Sequence, residues 1–526
     1  MAFPKLAYEA LESILGSEYI TDDPAACFAY IRGGEGTGMW DRDRVPPAVV
    51  VLPKTTEDVQ GIIRVANRYK LPYTPISTRM IAFCAPSRPN TIMIDPKRMD
   101  YLEIDAKNQM AIIQPYVPYH NLQAEAFKYG LFTSAPLCGS QVSALANTCV
   151  FGMGQKVHRI GIGARRLLGA EWVLPNGEIF RLGALAAPGN KPFWGEGPGP
   201  DLRGFMRGVM GWTGGMGMVT KIGVKLFAMP YCEPERAGIT PFTTLALPEN
   251  VIRWYVAIFK DIQTCVEVLY KVGQAEIGLA AMRVPAMWRA LRRGMSRNDF
   301  WDRFKVELED IKKNDPNIVR VCLCGFASEK QLEYEERVLQ DIGAEHGGNF
   351  RRVRPSASGD AFINSIAACA YKATGAFMSQ KLGVESIDHC TKQVMNSIHK
   401  KYALQDKGIL VEDAEEAGWI LSYDFGHLCH TEETTYYEND EEGAARAVVH
   451  ELDTIKYDVV ETNSFTGWQL GWNHALLGPH MCNYHELVHK VRDTFDPDWL
   501  SHPPRGYISM EEKKKYPEAY PYRPGW

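Results

Sequence analysis

The sequence predicts an α+β fold in more than one domain, and three observations carry the prediction. The 526-residue chain exceeds what one hydrophobic core usually supports. Its early part sets a short apolar strand, an amphipathic helix and a returning strand in a row, the pattern of a βαβ unit. Its middle part alternates strand-like runs with amphipathic helices, which suits a mostly antiparallel sheet with helices on one face. We draw the domains at 1–230 and 231–474, with 475–526 as a segment that returns to the first domain and ends in a tail.

Composition narrows the class. The chain is 45% hydrophobic and 23% charged, as in a soluble globular protein. A net charge of −5 argues against nucleic acid or an anionic membrane as the main partner. No apolar run approaches the ~20 residues a membrane-spanning helix needs. The opening MAFPKLAYEALESILG has acidic residues among its apolar ones and reads as an amphipathic helix, so a cytoplasmic location is expected. Twelve cysteines show no framework spacing. Cys322 and Cys324 fall in the apolar run Ile318–Phe326 and read as packed, reduced thiols.

Taken in order, the cluster Gly33-Gly34-Glu35-Gly36-Thr37-Gly38 lacks the Lys-Ser/Thr of a phosphate loop and reads as a surface turn. Ala48–Leu52 is a buried strand stopped by Pro53. Thr55 or Thr56 then caps a helix, Thr56–Tyr69, whose apolar face is Val59, Ile62, Ile63 and Ala66. The strands Tyr73–Ile76 and Thr91–Asp95 flank an irregular loop. At its start, Ser77, Thr78 and Arg79 offer backbone N–H groups, two hydroxyls and a guanidinium, which suits a pyrophosphate. The loop continues with Met80, Ile81, Ala82 and Phe83, where a phosphate loop usually has glycines. Small Ala82 still permits backbone donation, and Arg79 can replace lost N–H contacts with charge.

Strands are expected at Met99–Asp105 and Ala111–Gln114, and a helix at Asn121–Tyr129 closed by Gly130. The small-residue segment Gly139–Thr148 follows, then Gly152 and Gly154, where a backbone could approach a ligand closely. Leu168–Arg181 is a hairpin turning at Asn176-Gly177. A glycine-rich stretch, Gly211–Thr220, closes this part. Further on, helices are expected at Asp261–Val272 (stopped at Gly273), Ala286–Arg293, Glu329–His346, Asp360–Tyr371 and Ser386–Tyr402, with strands at Val319–Phe326 and Gly418–Tyr423.

The Pro75-Ile76-Ser77-Thr78 run after the helix, the Gly139–Thr148 segment, the Gly152/Gly154 pair and Gly211–Thr220, in this order, resemble the vanillyl-alcohol oxidase/p-cresol methylhydroxylase family of FAD enzymes. The helix after Asn483, ended before Pro497, is similar to the family's C-terminal closure. The resemblance implies a two-domain p-cresol-methylhydroxylase-type (PCMH-type) FAD-binding fold, with an antiparallel-sheet cap over the flavin ring. It implies FAD held by Ser77, Thr78, Arg79, Met80, Ile81 and Ala82, by Gly139, Ser140, Ser143, Asn147 and Thr148, by Gly152 and Gly154, and by Gly217, Val219 and Thr220. It also implies a hydride passed to flavin N5 from an aromatic alcohol or alkylphenol-like small molecule, in a homo- or hetero-oligomer. The Ser77–Cys84 loop has no histidine, so it makes no histidyl link to the flavin. No CxxCH or iron–sulfur cysteine cluster is present, so electrons would leave to oxygen or to another protein.

A flavin performs its own redox chemistry, so the protein must position substrate and handle one proton. The candidates are Tyr423, His427, His430 and His474. His427 and His430, with Glu432, could also bind a metal; three apart on a strand they face opposite ways, so no metal is expected. Trp468, Trp472, Asn473, His474 and His480 fall where related enzymes have pocket residues. The phenol-oxidising branch holds a phenolate with an arginine, and none lies between Phe465 and Cys482. That branch also has an acidic residue where this chain has Gln155–Arg166, which carries Lys156, His158, Arg159, Arg165 and Arg166 and no carboxylate. This stretch is either a solvated basic face or a site for an anion: cofactor phosphates, a substrate carboxylate or an acyl-CoA. Two other functions stay open, an FAD-dependent 2-hydroxy acid dehydrogenase and a flavin-poor, catalytically silent homologue serving as a subunit.

Overall fold

The computed structural model describes residues 3–31, 45–79, 86, 88–134, 140–150, 152, 154–186, 202–206, 216–230, 248–285, 287, 296–314, 317–353, 373–374, 377–378, 382–413, 418–438, 440–464, 480 and 482–503. The expected helix Asp360–Tyr371, most of Ala286–Arg293 and the glycine cluster at 33–38 lie outside these residues.

The first sheet contains β1 (Ile20–Thr21), β2 (Val49–Val51), β3 (Tyr73–Pro75) and β4 (Ile92–Ile94). Between β2 and β3 runs α2 (Thr56–Tyr69), preceded in the chain by α1 (Lys5–Leu15). Thr55 starts α2 with a capping box: its hydroxyl accepts from Asp58 N–H, and the Asp58 carboxylate accepts from Thr55 N–H. Such a cap stabilises a helix by about 1 kcal/mol. Val59, Ile62, Ile63, Val65 and Ala66 bury one face of α2 against the sheet, as the spacing predicts. The βαβ reading needs one correction. The order is β1-β2-β4-β3, so β4 inserts between the two strands that α2 connects. All three run parallel, β4 hydrogen-bonding β2 on one side and β3 on the other.

The second sheet is antiparallel: β5 (Leu102–Asp105), β6 (Met110–Ile113), β8 (Leu167–Val173), β9 (Ile179–Leu182) and β10 (Met218–Lys225), in the order β5-β6-β10-β8-β9. The β8–β9 hairpin turns where Asn176-Gly177 predicts, with Gly177 at φ +83°. Helix α3 (Tyr119–Phe127) precedes a two-stranded ribbon of β7 (Leu131–Phe132) and β11 (Phe227–Ala228). Two short helices follow β7: α4 (Ala144–Val150) and α5 (Val157–Ile160). The last helix, α9 (Tyr484–Phe495), sends Val488 into the core of this half, and the chain beyond it runs beside β3.

The largest sheet has seven antiparallel strands: β12 (Ile252–Phe259), β13 (Ala280–Val284), β14 (Asn317–Cys324), β15 (Arg351–Arg352), β17 (Leu382–Glu385), β18 (Trp419–Tyr423) and β19 (Leu428–Glu432), in the order β15-β12-β14-β13-β18-β19-β17. The short β16 (Phe377–Met378) pairs elsewhere, with Thr435–Tyr436. Side chains alternate across the pleat. Tyr255, Ala257, Val319, Val321, Ile420 and Cys429 face α6 (Ile262–Gln274), α7 (Glu329–Glu345) and α8 (Ile387–Gln405). Trp254, Cys322, Met282, Trp419, Leu421 and Tyr423 face the other way, against Phe132, Val157 and Ile160. The sheet therefore docks onto the first half of the chain through α5 and β7. Helix α6 corrects a second expectation: it passes through Gly273 and ends at Gln274. Gly273 is needed for a close approach, since a Cβ there would lie 2.1 Å from the Phe425 carbonyl oxygen. Among the described residues, no helix is long and apolar enough to cross a membrane.

Candidate functional site

Two of the expected cofactor segments meet in the structure. The Ser143 N–H donates to Thr78 Oγ1 at 2.9 Å, joining the turn after β3 to the start of α4. Ser143 Oγ donates to the Pro115 carbonyl at 2.6 Å and accepts from Ala146 N–H, so it also caps α4. The Ser140 carbonyl accepts from His120 N–H. Asn147 donates through Nδ2 to Tyr119 Oη at 3.2 Å, and the Thr148 hydroxyl lies 3.4 Å from the same oxygen. Ser77 and Thr78 are half-buried at this turn. Arg79, at φ +58°, turns its guanidinium to the N-terminal segment, donating to the Ala29 carbonyl at 2.7 Å and stacking 4.6 Å from the Tyr30 ring. Met80, Ile81, Ala82 and Gly139 lie outside the described residues.

The expected glycines sit at tight backbone crossings. A Cβ on Gly152 would lie 2.0 Å from Gly163 Cα, and one on Gly217 would lie 2.0 Å from the Val173 carbonyl oxygen. Gly217 N–H donates to Ser501 Oγ at 2.8 Å, tying the chain after α9 to the start of β10. Gly154 is buried and opens the turn into α5. Val219 packs, half-buried, against the second sheet's core. Thr220 is buried between the first two sheets, where its hydroxyl meets Thr56 Oγ1 at 3.0 Å and the Glu171 carbonyl at 3.3 Å.

The catalytic candidates separate. Tyr423 and His430 are both buried on the face of the large sheet that meets α5; their rings stack at 6.1 Å and 12°. Trp419 stands edge-on to His430, and Glu432 Oε2 lies 3.2 Å from His430 Nε2. Burial holds the Tyr423 phenol well above its usual range, so it stays protonated. His427 is exposed in the turn between β18 and β19, away from this group, and His480 is exposed as well. His474, Trp468, Trp472 and Asn473 lie outside the described residues. Among the described residues, no three His, Cys, Asp or Glu side chains gather in a metal-binding arrangement.

The basic stretch is not a solvated face. Lys156 is 2% exposed and Arg166 1% exposed. Burial, with the Arg166 charge beside it, pushes the Lys156 amine down to about 7. Burial also lowers the Arg166 guanidinium. Arg166 donates through Nη2 to the Gly152 carbonyl at 3.2 Å and through Nη1 to Thr133 Oγ1 at 3.5 Å. The Lys156 ammonium lies 5.8 Å from the Phe132 ring centre, and the Cys322 thiol of β14 acts on it from the large sheet. His158 pegs the two halves together: Nδ1 lies 2.9 Å from Ser422 Oγ and Nε2 3.0 Å from the Ile277 carbonyl oxygen. Burial pushes its pKa down to about 4. Arg159 stacks 4.6 Å from the Phe326 ring, and only Arg165, ion-paired with Asp424, is exposed.

The same junction holds residues that the sequence did not single out. Gln155 is 3% exposed, and neither its amide oxygen nor its amide nitrogen has a hydrogen-bond partner among the described residues. Ser134, fully buried one residue beyond Thr133, likewise has an unpartnered hydroxyl. Buried polar atoms are nearly always bonded; Gln155 directly precedes Lys156, and Ser134 follows Thr133, which accepts from Arg166. Their only trace in the sequence is position: Gln155 directly follows Gly154.

Residues 47–183 match the family model described as an FAD binding domain. The chain is 29% identical over 196 residues to the flavoprotein subunit of the hydroxylating 4-cresol dehydrogenase of Pseudomonas putida, a match covering 35% of this chain and 36% of that protein. It is 23% identical over 207 residues to a mitochondrial D-lactate dehydrogenase (cytochrome) of Kluyveromyces lactis, covering 38% of this chain and 33% of that protein. The chain thus matches about a third of the length of these relatives. Among solved structures it is similar to p-cresol methylhydroxylase with substrate bound, at a TM-score of 0.74 and 17% identity, over 96% of this chain and 97% of that one. A 4-ethylphenol oxidase from Gulosibacter chungangensis, in complex with isoeugenol, gives a TM-score of 0.73 at 18% identity over 95% and 96% of the two chains. At such identities the likeness is one of fold, and it runs the length of the chain.

Proposed function

We propose that this chain, whose FAD-binding domain and fold are those of the vanillyl-alcohol oxidase/p-cresol methylhydroxylase family, is an FAD-dependent oxidoreductase. Its substrate is a small molecule whose reacting C–H lies beside an oxygen-bearing or aromatic centre, an aromatic alcohol or alkylphenol by family resemblance. The observation that carries this reading is the unpartnered Gln155 amide in the buried junction. An amide with both donor and acceptor unmatched is the complement of the imide edge of a flavin ring, which offers one N–H and two carbonyl oxygens. The buried Ser134 hydroxyl, also without a partner among the described residues, is a second candidate to bond the ring.

When bound, FAD supplies a two-electron acceptor at N5 for the hydride leaving the substrate carbon. The chain's own residues do the rest. The turn at Ser77–Thr78 and the start of α4 would hold the dinucleotide, while Gln155 and Ser134 orient the ring. The large sheet closes the site from the other side and keeps water out, which strengthens every polar contact within it. Tyr423, held protonated by burial, donates a hydrogen bond to the substrate oxygen. His430, backed by Glu432, is our candidate to take the hydroxyl proton. An alcohol oxidised in this way would give a carbonyl, with oxygen or a partner protein as the terminal electron acceptor.

A second reading, oxidation of a 2-hydroxy acid, is favoured by the buried pair Lys156 and Arg166, which suits a carboxylate. Both readings share one test. The purified protein is expected to show flavin's visible absorption bands, and these are expected to bleach without oxygen when the right substrate is added. A protein that stays colourless after incubation with FAD would instead be the silent subunit.

A further inference from the structure

We infer that the Ala29 carbonyl and the Tyr30 ring clamp Arg79 in a left-handed backbone conformation, and that this clamp replaces the glycines a pyrophosphate turn usually carries. Tyr30 is thereby a positioning residue for the cofactor. The inference deepens the FAD-binding reading and rests on it.

Arg79 sits at φ +58°. A residue with a Cβ enters that region at an energetic cost, and glycine is what ordinarily occupies it. The residues that follow, Met80, Ile81, Ala82 and Phe83, supply no glycine. Such backbone persists only where its surroundings hold it. At Arg79 the N-terminal segment does so: the guanidinium donates to the Ala29 carbonyl at 2.7 Å and lies 4.6 Å from the Tyr30 ring centre, within cation–π range.

That segment is itself anchored on either side of the contact. Asp23 caps the short helix Pro24–Phe28, its carboxylate accepting from Ala26 N–H at 2.9 Å. Cys27 is buried with Val50, Ile76 and Met93, so it grips the first sheet beside the residue that precedes Ser77. Tyr30 Oη donates to Asp95 Oδ2 at 2.7 Å, just beyond β4. Lys97 Nζ bridges the two, 2.9 Å from the Asp95 carboxylate and 3.2 Å from Tyr30 Oη. Burial, and then Asp95, hold the Tyr30 phenol above its usual range, so it remains a donor.

A turn that goes left-handed at one residue lets successive N–H groups converge on an anion. Thr78, next to Arg79, is fixed from the other flank by the Ser143 N–H at 2.9 Å. The turn is therefore held on both sides before a ligand arrives, and a preformed site loses less binding energy to ordering.

The test is a double-mutant cycle read as flavin released on dilution of the holoprotein. Tyr30→Ala and Arg79→Ala should each weaken FAD on the order of tenfold, and Tyr30→Phe much less. Glycine needs no clamp, so Arg79→Gly should stay within about threefold of wild type. Arg79→Gly combined with Tyr30→Ala should then match Arg79→Gly alone. An Arg79→Gly protein as weak as Arg79→Ala would give the guanidinium itself to the phosphates and overturn the inference. Full affinity in Tyr30→Ala, or additive losses in the double variant, would overturn it too. A wild-type chain that forms no holoprotein overturns the oxidoreductase reading instead. Trypsin reads the clamp without flavin: cleavage after Arg79 should be several-fold faster in flavin-free Tyr30→Ala than in flavin-free wild type. An unchanged rate would mean that other contacts hold the turn, against the inference.

Discussion

The two faces of the seven-stranded sheet are built from the same strands to opposite ends. One face, with Tyr255, Val321, Ile420 and Cys429, meets the apolar sides of α6, α7 and α8. The other, one residue out of phase, carries Arg320, Tyr423 and His430 among Trp254, Trp419 and Leu421, and looks onto Lys156, His158 and Arg166. Both are dry. Burial is therefore not what distinguishes a structural face from a functional one. The distinction lies in composition. The face that meets α5 buries the polar and charged side chains Arg320, Tyr423 and His430, whereas the helix-covered face buries mainly apolar ones.

Leu269→Ala, on the helix-covered face, removes fully buried methyls and should cost about 3 kcal/mol in urea denaturation, with no change in flavin content of the folded fraction. A drop in flavin content there would blur the two faces. On the other face, the His158 pKa falls from 6.5 to about 4 on folding. A depressed pKa makes the unfolded chain bind more protons between those values, so stability is complete above about 6.5 and declines as pH falls toward about 4. The loss should approach roughly 3 kcal/mol. It should be much reduced in His158→Gln, as read from urea midpoints across that pH range. Gln155→Leu exchanges an unmatched amide for an apolar group of similar size. It should leave stability level or slightly raised, while weakening FAD binding on the order of tenfold, measured by flavin release on dilution. Smallest is Asp261→Ala, which removes the cap that accepts from Thr264 N–H at 2.7 Å. It should cost about 1 kcal/mol and leave FAD binding untouched.

The parts of the fold that local chemistry dictates were legible in the sequence. Thr55 caps α2, Asn176-Gly177 turns the β8–β9 hairpin, and the strands expected at Val319–Phe326 and Gly418–Tyr423 match β14 and β18. What was not legible depends on partners distant in sequence. The insertion of β4 between β2 and β3 is decided by pairing that no local pattern encodes. Gly273 reads as a helix stop because glycine usually ends helices, whereas here it admits the Phe425 carbonyl. Gln155–Arg166 has no period of 2 or 3.6, so its sequence could not tell buried cations from solvated ones. Ser134 and Gln155 are common polar residues, and only their lack of partners sets them apart. Arg79, beside Ser77 and Thr78 in sequence, also reaches the N-terminal segment, where it donates to the Ala29 carbonyl and stacks on Tyr30.

On the proposed reading, FAD completes the junction between α5 and the large sheet. The most direct measurement is the visible absorption spectrum of the purified full chain, before and after incubation with FAD and removal of excess, run beside Gln155→Leu. Flavin bands near one FAD per wild-type chain, and weaker retention in the variant, are expected. A wild-type protein that takes up no flavin, or a Gln155→Leu protein that retains it equally well, would contradict it.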